Sequence, residues 1–79
     1  MPHFHMNVFN DIVALDEEGA EYPDLVAATR QAVAGARELI AALICAGSPV
    51  HQSHRVEVTN EAGQVLHTVR FGEMVQLLP

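Results

Sequence analysis

The stretch Pro23-Asp24-Leu25-Val26-Ala27-Ala28-Thr29-Arg30-Gln31-Ala32-Val33-Ala34-Gly35-Ala36-Arg37-Glu38-Leu39-Ile40-Ala41-Ala42-Leu43-Ile44-Cys45-Ala46-Gly47-Ser48-Pro49 decides how this chain folds. Leu25, Ala28/Thr29, Ala32/Val33, Ala36, Leu39/Ile40 and Leu43/Ile44 recur every three or four residues, the spacing that lays one apolar stripe along a helix. Asp24 can cap the first free N–H groups, and its carboxylate suits the positive end of the helix dipole. Gly47 supplies a left-handed residue after the last turn, and Pro49 forbids continuation. One helix over residues 24 to 46 follows.

Upstream, His3 to Phe9 alternates, with Phe4, Met6 and Val8 on one side and His3, His5 and Asn7 on the other, as in a half-buried strand. Asn10-Asp11 is a turn signal, and Ile12 to Leu15 is a second β-prone run, so the two predict a hairpin. Asp16 to Glu21 reads as an acidic, solvated loop. Downstream, Val56 and Val58 alternate with Arg55, Glu57 and Thr59 within a strand from His54 to Asn60. Glu61-Ala62-Gly63 is a hairpin connection to a fourth strand, Gln64 to Phe71, whose apolar residues fall in both parities. Gly72 to Pro79 reads as a helical turn or an edge strand. The order is ββαββ, an α+β fold with one long helix on one face of a short antiparallel sheet, in one domain over residues 1–79.

Composition narrows the function classes. With 49% hydrophobic and 18% charged residues the chain is a folded globule. A net charge of −6 opposes phosphate neutralisation, so nucleic acid is not expected as a partner. The opening residues lack a positively charged region, and the longest apolar run, Leu39 to Gly47, is too short for a bilayer. With Cys45 as the lone thiol, these features predict a cytoplasmic protein without membrane contact.

The run Asp16 to Leu25, Ala36-Arg37-Glu38-Leu39, Val56-Glu57-Val58, Gly63-Gln64-Val65-Leu66 and Val69-Arg70-Phe71 resembles a family of short, uncharacterised proteobacterial proteins over nearly the whole chain. Arg70 is a departure, since Pro often precedes this Phe in that family. The resemblance implies a stand-alone domain of unknown function and carries no active site across. Residues 4 to 44 also look similar, more loosely, to the HicB-type antitoxin domain, which usually carries a DNA-binding appendage; no basic helix follows the core here, so the likeness implies toxin neutralisation at most.

Among chemistry-bearing residues, five histidines suggest a metal: His3 and His5 share a strand face, His51 and His54 flank a loop, and His67 lies on another strand. They lack compact ligand spacing, so no tight zinc site and no cofactor are expected. Asp11, Asp16, Glu17, Glu18, Glu21 and Asp24 hold six of the ten carboxylates without the alternating pattern of a calcium loop. Cys45 sits near a helix end, where the dipole disfavours a thiolate, among apolar neighbours. No catalytic residue is predicted, and the chain reads as a non-enzymatic protein-interaction or regulatory module. Alternative readings are an inhibitor of a basic toxin or nuclease and a histidine-dependent metal-binding protein.

The length of the helix adds an expectation about assembly. At about 33 Å it outruns strands of five or six residues, which reach about 17 to 20 Å. Leu39, Ile40, Leu43 and Ile44, with Met74, Leu77 and Leu78, are therefore predicted to form an interface, and the chain to be a homodimer.

Overall fold

A computed structural model describes residues 1–79. The elements are β1 (His3–Phe9), β2 (Val13–Ala14), β3 (Ala20–Glu21), α1 (Leu25–Cys45), β4 (Arg55–Thr59), β5 (Val65–Arg70) and the single turn α2 (Phe71–Met74). The antiparallel sheet runs β2-β1-β4-β5, and β3 pairs with the start of β1. The architecture is α+β. No helix is long and apolar enough to cross a membrane.

Helix α1 begins and ends where its sequence dictates. Asp24 Oδ1 accepts the Ala27 N–H at 2.9 Å. At the other end Gly47, at φ 71°, donates to the Ile44 carbonyl, and Ser48 donates to that of Leu43, closing a Schellman motif. Ala28, Ala32, Ala36 and Ile40 are buried against Phe4, Val56, Val58, Val69 and Phe71. Three alanines on this stripe let the helix settle close over β4 and β5. The other face of the sheet is polar and carries no helix, as antiparallel sheets allow: half-buried His3, His5 and Asn7 on β1 lie beside half-buried Glu57 and buried Thr59 on β4.

Three local expectations need correction. The acidic loop is not wholly irregular, because Ala20 and Glu21 pair with Phe4 and His3 as a fifth strand. The second strand shrinks to Val13–Ala14. The last strand ends at Arg70, and Phe71, fully buried, opens α2 instead. Its N–H donates to the His54 carbonyl at 2.8 Å, which turns the chain off the sheet. The mixed parity of this strand also resolves. Val58 faces His67 but Thr59 faces Val65, so a bulge puts Val65 and Val69 on opposite faces.

Candidate functional site

Strand β5 closes the sheet on one side, and its outer edge pairs with nothing in the chain. Val65, Leu66 and His67 on it are exposed. Beside this edge, under the overhang of α1, lies an open groove of about 500 Å³. Leu25, Val26 and Val33 give it apolar walls, while Arg30, Arg37 and His67 border it. The chain has four arginines and no lysine. Arg55 is held by Glu57 at 2.8 Å and stacks over Phe9, and Arg70 lies 3.5 Å from Glu73. Arg30 and Arg37 make no such ion pair, so both cations without a partner face the groove.

A second constellation lies on the polar face of the sheet. The β1–β4 register pairs His5 with Thr59, and continuing it by two residues puts residue 61 opposite His3. Glu61 accordingly approaches both imidazoles, its Oε1 standing 2.7 Å from His5 Nε2 and 3.7 Å from His3 Nε2. His5 Nδ1 donates to the Asp16 carbonyl at 2.7 Å, and His3 Nε2 donates to that of Glu18 at 2.6 Å. The Asp16 carbonyl and then the Glu61 carboxylate hold the His5 pKa above its ordinary value, because both accept from the protonated ring. Asp16 itself is tied down: its carboxylate accepts from the N–H groups of Met6 and Gly19. Asp11, His51 and His54 form a further group at the loop preceding β4, with His54 Nε2 3.6 Å from Asp11.

A family model described as a domain of unknown function, DUF6894, matches residues 3–72. The chain belongs to the DUF6894 family. No curated protein and no solved structure matches it. The matched span of this DUF6894 domain holds the groove and the His3–His5–Glu61 group, and stops short of Leu77 and Leu78.

The residues expected at an interface separate into two sets in the DUF6894 fold. Ile40 belongs to the core, and Leu39, Leu43 and Met74 pack against it. Ile44, Leu77 and Leu78 are exposed, and Ile44 and Leu77 line one smaller groove with Val75. Cys45 is exposed. Sequence reading missed Glu61, Arg30 and Arg37. Glu61 becomes visible only once strand register is known, and the arginines only once the helix is placed over the sheet.

Proposed function

We propose that this domain is a non-catalytic protein-interaction module that captures an extended segment of a partner along the edge of β5. The carrying observation is the unpaired strand edge beside an apolar groove bordered by two unpaired guanidiniums. An added strand would pair its backbone with β5, and its alternate side chains would dock under α1. Unpaired edges are templates for such addition, which proteins otherwise block with charge, proline or cover. Arg30 and Arg37 set the chemistry of the segment: the face that docks under α1 carries Glu or Asp as well as apolar residues, both at every-second-residue positions. Pairing of β5 with its own copy would instead bring two sets of these cations to one seam, so the groove favours a different chain.

A labelled eight-residue peptide with Val and Glu in turn at every second position, and Thr between them, puts both on one face and is the direct probe, read by fluorescence anisotropy. Arg30 and Arg37 are exposed, so their reversal to Glu leaves the core untouched. The double variant should weaken binding about tenfold or more, two surface attractions having become repulsions, and added salt should weaken binding to the unaltered protein. A peptide that fails to bind, or that binds the double variant equally, refutes the reading.

A second surface supports self-association. Ile44 and Leu77 are 62% and 90% exposed around one apolar groove, a cost that a twofold contact would remove. Neutralisation of a basic toxin or nuclease, the role suggested by the HicB-type likeness, would use Glu17, Glu18 and Glu21 beyond the β2 end of the sheet. Reversal of Arg30 and Arg37 distinguishes that role, which it leaves unaffected. The exposed thiol of Cys45 suits a reducing compartment such as the cytoplasm.

A further inference from the structure

We propose that His3, His5 and Glu61 form a binding site for one divalent transition-metal ion of the zinc type. The inference is independent of the groove, which lies at the β5 edge under α1. Spacing in sequence supplies only two imidazoles; the folded register supplies the carboxylate that completes a three-donor face.

The donor chemistry selects the ion. Two imidazole nitrogens and one carboxylate oxygen suit zinc and its neighbours, whereas calcium and magnesium take oxygen donors. The spacing agrees. Bonds of about 2.0 to 2.1 Å in a tetrahedral site put neighbouring donors roughly 3.3 Å apart, and the two His–Glu separations, 2.7 and 3.7 Å, lie on either side of that value. Glu61 is 67% exposed and can make the adjustment by side-chain rotation alone.

The frame around the donors is fixed. His3 and His5 are alternate residues of one strand, so their rings start from the same face. His5 Nδ1 is held by the Asp16 carbonyl, which orients the ring and turns Nε2 towards Glu61, the arrangement that outer-shell acceptors impose on metal-bound histidines. Glu61 sits in a turn tied by Asn60 Oδ1, which accepts from Ala62 and Gln64 N–H at 3.0 and 2.9 Å. Ligation by His3 Nε2 replaces its bond to the Glu18 carbonyl, and the ring then keeps its proton on Nδ1. A shallow depression of about 350 Å³, lined in part by His5, Asp16 and Glu61, gives the ion a route from solvent. Asp11, His51 and His54 offer the same residue types, but His51 and Asp11 are both exposed and neither ring is held by a hydrogen bond to a carbonyl. That group is the internal control.

The test uses tag-free full-length protein, stripped with a chelator and dialysed, then titrated calorimetrically with zinc chloride. One ion per chain is expected, with affinity reduced at least about tenfold in His3→Ala, His5→Ala and Glu61→Gln and unchanged in His51→Ala. Far-UV circular dichroism establishes that each variant is folded. Substoichiometric Co²⁺ on the unaltered protein gives a reading free of any substitution: the ring resonances of His3 and His5 should broaden before those of His51, His54 and His67. Absence of saturable binding, survival of binding in His5→Ala, or broadening led by His51 and His54 would overturn the proposal.

Discussion

His5 on β1 and Glu61 in the β4–β5 turn, 56 residues apart in sequence, meet at 2.7 Å across the polar face of the sheet. The Asp16 carbonyl holds the other ring nitrogen at 2.7 Å, so both nitrogens of His5 face acceptors, with the His3 ring 5.4 Å away as the neighbouring titratable group. In chelator-treated protein His5 should therefore titrate above 6.5 by NMR. A histidine whose pKa is raised on folding adds stability that is complete below the unfolded value and is lost as pH rises through the folded one. Glu61→Gln should lower the His5 pKa without abolishing the shift, because the Asp16 carbonyl remains. Titration of His5 at or below 6.5 would contradict this geometry.

Gly19 holds the acidic turn against β1. Its φ is 67°, and a Cβ there would lie 2.6 Å from the Phe4 carbonyl oxygen and 2.8 Å from His3 Nε2. Gly19→Ala should cost at least about 1 to 2 kcal/mol from the left-handed conformation alone, measured by urea denaturation. It should also shift the amide resonances of His3 and Phe4. An unchanged midpoint would show that the turn is not held as described.

Phe71 carries more of the core than its position near the chain end suggests, being fully buried in the cluster that also holds Val56, Val69 and Ile40. Phe71→Ala should destabilise by about 3 to 5 kcal/mol, close to the whole stability of a domain this small. Loss of the cooperative thermal transition is the expected result. Leu77→Ala, at a residue 90% exposed, should change stability by less than about 0.5 kcal/mol.

The helix was legible because its signals are local: the stripe from Leu25 to Ile44, the Asp24 cap and Gly47 act within a few residues of one another. The same holds for β1, whose alternation survives intact. Strand β3 was not legible, since Ala20 and Glu21 carry no apolar alternation and pair only because Asp16 and Gly19 bring the turn back onto β1. The end of β5 misled because Phe71 fits the strand parity, while a hydrogen bond to His54 draws it into a turn. Of the candidate sites, the shared face of His3 and His5 could be read from sequence. Glu61 could not, because its position opposite His3 depends on the pairing of β1 with β4 across the intervening helix.

Self-association should depend on Ile44, which is 62% exposed, and not on Ile40, which is 5% exposed and whose replacement by a charge would unfold the chain. Light scattering after size exclusion should give twice the chain mass of 8.6 kDa for the unaltered protein at micromolar concentration. Ile44→Glu should return it to one chain with its circular dichroism intact. A mass of one chain at every concentration would contradict the dimer.

The capture of an extended acidic segment is tested most directly by amide hydrogen exchange along β5, with and without the Val–Glu peptide. Pairing at the edge converts solvent-facing N–H groups of residues 65–70 into ladder bonds, so alternate amides of this strand should gain protection while those of β1 and β2 stay unchanged. The gain should vanish in the Arg30→Glu/Arg37→Glu variant. Protection that appears at β1, β2 or β3, or exchange along β5 that a saturating peptide leaves unaltered, would contradict the account.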